Sequence, residues 1–167
     1  MSVKLNFVRQ QGVREATKQS CSYLYPALMW QPRAIGILVL IGVAIQSWAY
    51  FVLLGALLWW NVVFPRLNPF DALYNHFVAK RHSLPRLLQW PSPRRFGAQV
   101  LAGTSMLAIA LSLYSGWRTV AWVLEAFLLV ALAALIFGRF CLGSYLFLLV
   151  TGQGHYAKNT LPWARDE

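Results

Sequence analysis

The sequence predicts an all-α integral membrane protein with four transmembrane helices, arranged as two hairpins, and with interfacial amphipathic helices beside them. Three observations predict this fold class. Hydrophobic residues make up 58% of the 167 and charged residues only 12%, with a mean hydropathy of +0.49, figures that a soluble domain of this length does not show. The apolar residues are gathered into two long stretches, 34–64 with no charge at all and 95–138 with few. If each stretch turns back on itself, 14 of the 15 Lys and Arg fall on one face and only Arg118 on the other, which is how basic residues mark the cytoplasmic side of short loops.

Residues 1–31 form a basic segment with Lys4, Arg9, Arg14 and Lys18 against a single Glu15. A signal peptide needs a short basic start, an apolar region and a small-residue cleavage site. The segment is therefore expected to stay as a cytoplasmic N-terminus, with Val3, Phe7 and Val8 suited to a helix lying in the interface.

The stretch 34–64 is too long for one span: 31 residues make a helix of about 46 Å, against roughly 30 Å of hydrocarbon. A break at Gln46-Ser47-Trp48 gives helices near 33–46 and 48–64, the first hairpin of a unit covering 32–94. The loop that follows is rich in proline, and within it Asn68 is placed to N-cap a helix starting at Pro69, with Asp71 in its first turn. Phe70, Leu73, Tyr74, Phe77 and Val78 would share one apolar face.

The unit 95–167 repeats the plan. Ser115-Gly116-Trp117-Arg118 separates helices near 95–114 and 119–137, and an apolar helix follows at about 142–151. Phe64, Arg66, Leu67, Leu73 and Tyr74 recur 73 positions later as Phe137, Arg139, Phe140, Leu146 and Phe147, and Pro32-Arg33 with Gly36 is matched by Pro93-Arg94 with Gly97. The chain reads as two copies of one unit. Both copies begin on the same side, so the repeats are parallel and not the inverted pair common in transporters.

Candidate chemistry is sparse. The offset of 73 puts Cys141 where Asn68 stands, at the N-cap of the C-terminal apolar helix, beside Arg139, a setting that favours a thiolate. Equally, a free cysteine is a small apolar residue that is commonly buried. Glu125 is the only acidic residue inside a span, about 10 Å from Arg118 along the helix; such a group suggests a proton or ion path, or a pairing with Arg118. Arg66, Arg94, Arg95 and Arg139, with Trp60, Trp90 and Trp117, lie near predicted membrane boundaries and are read as contacts to anionic headgroups or to a partner. Gly36, Gly42, Ala98, Ala102 and Gly103 would allow close helix packing. His76, His82 and His155 lie outside the apolar stretches, and Cys21 and Cys141 are too few for a zinc site, so no metal and no cofactor is expected. The aromatics are not interleaved with the basic residues, so nucleic acid is not expected as a partner.

Three motifs, Phe64-Pro65-Arg66-Leu67-Asn68-Pro69-Phe70, Pro93-Arg94-Arg95-Phe96-Gly97 and Gly138-Arg139-Phe140-Cys141-Leu142-Gly143-Ser144-Tyr145-Leu146, resemble the bacterial domain-of-unknown-function family 4395 over roughly residues 31–150. The resemblance implies a small integral protein of the bacterial cytoplasmic (inner) membrane without an assigned activity, in a family some of whose members are encoded near thioredoxin-like or sulfurtransferase proteins. Many members end in two cysteines two residues apart. Ser144 replaces the second here, which argues against a dithiol cycle.

These observations lead to a non-catalytic accessory or scaffold subunit of a larger membrane complex, bioenergetic or redox in character, with both termini cytoplasmic. Two alternatives stay open: a thiol-redox or sulfur-relay protein using Cys141, and a small transporter or proton path using Glu125.

Overall fold

The computed structural model describes residues 3–81 and 91–164, and every described element is helical. After α1 (Val3–Gln10) come two long helices, α2 (Lys18–Ile45) and α3 (Trp48–Val63); a short α4 (Pro69–Tyr74) runs on into a π turn, Asn75–Ala79. A second π turn, Pro93–Ala98, opens α5 (Gln99–Tyr114), which is followed by α6 (Arg118–Ile136), α7 (Leu142–Val150) and α8 (Gly154–Asn159). Three helices, Lys18–Ile45, Pro93–Tyr114 and Arg118–Ile136, are long and apolar enough to cross a membrane. The fourth, α3, is equally apolar but has 16 residues, about 24 Å of helix.

The turns lie where the sequence placed them. Gln46 ends α2 in the left-handed region at φ 54°, its N–H on the Gly42 carbonyl at 2.8 Å, and Ser47 caps α3 by accepting from the Tyr50 N–H. Gly116, at φ 76°, makes the corresponding turn between α5 and α6. Both hairpins therefore open toward the same end of the bundle, which holds the N-terminus, α4, α7 and every described Lys and Arg except Arg118. The two ends are called here the turn end and the basic end.

Helix α2 departs from expectation. It begins at Lys18 instead of near residue 33, and the boundary drawn at 31/32 falls inside it. Its start is a capping box: the Thr17 side chain accepts from the Ser20 N–H and the Ser20 hydroxyl from the Thr17 N–H. Pro26 and Pro32 each remove one main-chain donor. Packing outweighs that loss, because Cys21, Leu28, Ile35 and Gly42, seven apart, are all buried along one stripe. The lower half of α2 carries a second core outside the bundle, where Leu5, Phe7, Val8, Cys21, Leu28, Met29 and Cys141 cluster. Phe7 and Val8, expected against the interface, are buried in this lobe. The two chain ends are tied together in it, with Asn6 Nδ2 donating to the Leu161 carbonyl at 3.0 Å and the Tyr156 hydroxyl to that of Arg9 at 2.9 Å.

The main core holds Ile35, Val39, Phe51, Leu54, Leu58, Met106, Ile109 and Leu128, with Phe70 of α4. Its helices do not pack in chain order. Helix α3 packs most extensively on α5, α5 on α6 and α6 on α2, while α2 and α3, joined by a two-residue turn, share little. Outward-facing side chains are apolar: Leu53, Leu111, Val123 and Val130 are each more than 60% exposed, a surface that water would penalise and hydrocarbon would not.

In each half a short helix follows the hairpin and packs on the hairpin's first helix. Helix α4 starts at Pro69 and packs on α2; α7 starts at Leu142, 73 positions later, and packs on α5 and its π turn. Of the apolar face expected on the first short helix, Phe70 and Tyr74 are buried, whereas Leu73 and Phe77 point outward.

Candidate functional site

The basic end of the bundle contains a layer of buried polar side chains, and Arg94 is its hub. Arg94 is 3% exposed. It sits in the π turn, where the Gln99 N–H reaches back five residues to the Arg94 carbonyl, and this widened turn aims two consecutive arginines differently. Arg94 Nη2 donates to Gln31 Oε1 of α2 at 2.9 Å, and its charge lies within electrostatic reach of the Asp71 carboxylate and the Cys141 thiol. Arg95 turns to α3: its Nε donates to the Val62 carbonyl at 2.8 Å, one of the last four carbonyls of that helix, which have no intrahelical partner. Both arginines, read from sequence as headgroup or partner contacts, are thus engaged within the chain.

Each short helix presents its N-terminus to this layer. Asn68 caps α4 through Oδ1 on the Phe70 N–H at 3.0 Å and donates from Nδ2 to Asp71 at 2.9 Å. Cys141 occupies the corresponding N-cap of α7, as expected, but its side chain makes no cap hydrogen bond. Its main-chain N–H instead donates to Gln10 Oε1 of α1 at 2.8 Å, and the Ser144 hydroxyl donates to the Pro93 carbonyl at 3.3 Å. Cys141 is 3% exposed and borders a cavity of about 60 Å³ walled by Ala98, Leu101, Ala102 and Ser105, room for a few waters. Several buried polar atoms of the layer have no hydrogen-bond partner among the described residues: Asn61 Nδ2 and Oδ1, Gln31 Nε2, Gln99 Oε1 and Gln10 Nε2. Leaving such groups unsatisfied costs roughly 1–3 kcal/mol apiece, so the layer has capacity for water.

A second, smaller polar cluster lies at the turn end. Glu125 is 3% exposed on α6. Gln46 Nε2 donates to both of its oxygens, at 3.0 and 2.9 Å, and to the Val43 carbonyl at 2.8 Å, while Trp122 Nε1 donates to Gln46 Oε1 at 3.2 Å. The partner of Glu125 is therefore the turn of the other hairpin. Arg118 is exposed and is not that partner.

The remaining predicted contacts are at the surface. Arg66 is exposed, as are Trp60, whose ring lies 4.6 Å from that of Phe64, and Trp117. Trp90 and His82 lie outside the described residues. Arg139, at φ 54° in the link between α6 and α7, places its guanidinium 5.8 Å from the centre of the Tyr25 ring, with Lys4 Nζ 5.4 Å from the same ring. Sequence reasoning missed Gln31, Asn61 and Gln99, uncharged polar residues within the bundle helices, the last two inside the apolar stretches 34–64 and 95–138. Their signal is that very placement, since a polar group in a span is costly unless partnered.

Among the described residues no three His, Cys, Asp or Glu side chains stand close enough to share a metal ion. No curated protein and no solved structure matches the chain. A family model, described as a domain of unknown function (DUF4395), matches residues 28–151. That match takes in all four bundle helices but for the first turns of α2, together with both short helices and the polar layer apart from Gln10, and the chain belongs to this family.

Proposed function

We propose that this protein is a non-catalytic accessory or scaffold subunit of a larger membrane complex, held by four spans in the bacterial cytoplasmic membrane with both termini inside. One observation carries the reading: Arg94, Glu125 and Cys141, the three candidate groups in the two polar clusters, are turned into the fold. Arg94 is bonded to Gln31, Glu125 to Gln46, and Cys141 is buried beside a cavity no larger than about 60 Å³. The basic end supports the orientation through the positive-inside rule. The test is extraction in a mild detergent followed by native electrophoresis and mass spectrometry of the band. A band well above the monomer with a constant set of partners is the expected result. A partner-free monomer that retains its stability sinks the proposal.

A second reading, thiol or sulfur-relay chemistry at Cys141, draws on one observation, the proximity of a buried guanidinium to a cysteine at a helix N-terminus. Maleimide labelling of the folded protein across pH separates the two. Rapid labelling of Cys141 near neutral pH favours the relay, and labelling only after unfolding favours the scaffold.

A further inference from the structure

The two hairpins open with the same pattern, Pro-Arg followed three residues later by Gly, yet a second helix packs its backbone on the glycine of only one of them. In the second, α7 lies directly on the glycine: a Cβ at Gly97 would meet the Gly143 carbonyl carbon at 2.8 Å. Its arginine, Arg94, is buried. In the first, a Cβ at Gly36 would meet only one methyl, Ile136 Cδ1 at 3.3 Å, and Arg33 is exposed with no hydrogen bond or ion pair among the described residues. Gly36, itself buried, lines the floor of an open groove of about 420 Å³ between α2 and α6, walled by Ile37, Leu40, Leu129, Ile136 and Phe137, with Arg33 as its one charged residue.

We infer that this groove seats one acyl chain of an anionic phospholipid, with the phosphate at Arg33. Three features select that occupant. The walls are apolar and open: Ile37 is 61% exposed and Phe137 82%. The charge sits at the basic end of the groove, where a headgroup would be, and is unopposed by any lining acid. The length also fits, since Arg33 to Leu40 is seven residues, about 10 Å of helix, within the ~15 Å depth of one leaflet. A spanning helix of a partner or of a second copy would need a seat running through both leaflets. The groove stops short of that.

The experiment is native mass spectrometry of the full-length protein in detergent after addition of phosphatidylglycerol or phosphatidylcholine with identical acyl chains. One bound lipid is expected, phosphatidylglycerol being retained about fivefold better, the factor equivalent to ~1 kcal/mol for one cation near an anionic headgroup. Arg33→Gln should bring the two lipids to parity without changing the melting temperature, because the guanidinium has no partner in the described chain to lose. Ala133→Phe, which fills the groove from its α6 wall, should reduce retention of both lipids severalfold, and Lys158→Gln, an exposed cation of α8 outside the groove, should change nothing. Equal retention of the two lipids by the native protein overturns the inference. So does a preference that survives Arg33→Gln, or a dimer mass that Ala133→Phe abolishes.

Discussion

Single residues at opposite ends of the bundle hold the two hairpins together. Gln46 uses one amide group to bind the Glu125 carboxylate, its own turn and the Trp122 indole. Gln46→Leu would leave Glu125 buried without that partner, a change costing about 1–3 kcal/mol, whereas Glu125→Gln keeps hydrogen-bonding capacity and should cost less. Thermal unfolding in detergent ranks them, and equal losses would mean that the clasp contributes nothing specific. In the lobe, burial raises the Tyr156 phenol above its ordinary value of 10.0, against the opposing charges of Arg14 and Arg9. A raised phenol favours the neutral form in the folded state, so its stabilisation is complete below about pH 10 and fades as pH rises through the folded value. Tyr156→Phe should lower stability at neutral pH by about 1 kcal/mol through its lost hydrogen bond to Arg9 and flatten the alkaline decline. An unchanged slope between pH 9 and 11.5 would show that another group titrates. Glu125 was legible in the sequence as a lone acid in a span. Its partner was not, because Gln46 stands 79 positions away and an isolated glutamine carries no periodic signal.

At the level of elements, local chemistry was read well and packing less so. The Asn68 cap, the Gln46-Ser47 break and the start of α7 follow from rules that act within a few residues. The beginning of α2 did not, because Pro26 and Pro32 each remove a main-chain donor and the helix there is held by packing, with Cys21, Leu28, Ile35 and Gly42 buried along one stripe. Burial won, as tertiary context commonly does over propensity. The seat of α7 depends on glycine at both sides of the contact: a Cβ at Gly143 would lie 2.7 Å from the Ala98 Cα and from the Gly97 carbonyl oxygen. Gly143→Ala should therefore lift α7 from α5 at a cost of about 1–3 kcal/mol. Limited proteolysis should then cut between residues 138 and 153, and a digestion pattern identical to the native one would show that α7 shifts without detaching. The π turn that opens the second hairpin left no trace in the pattern of apolar residues, and this is why Arg94 and Arg95 read alike in the sequence.

Over the whole molecule, the sequence offered recurring words, and in the structure α4 packs on α2 and α7 on α5. The matched positions differ in use: Asn68 caps its helix through its side chain and Cys141 does not, and Arg94 is interior where Arg33 is exposed. What the sequence concealed is the order of packing, because the hydrophobic pattern of a span marks which residues avoid water and leaves open which neighbouring helix they meet. That order has a consequence for biosynthesis. Helices α2 and α3 leave the ribosome as a pair yet share few contacts, and the surfaces they need, α6 and α5, are made later. Until the second hairpin is made, the first has Gln46 without its carboxylate and the Val62 carbonyl without Arg95. A chain ended after residue 92 should insert and then be cleared by membrane proteolysis, and co-expression of residues 93–167 as a separate chain should rescue it. A stable, protease-resistant first half would mean that the assembly order is otherwise.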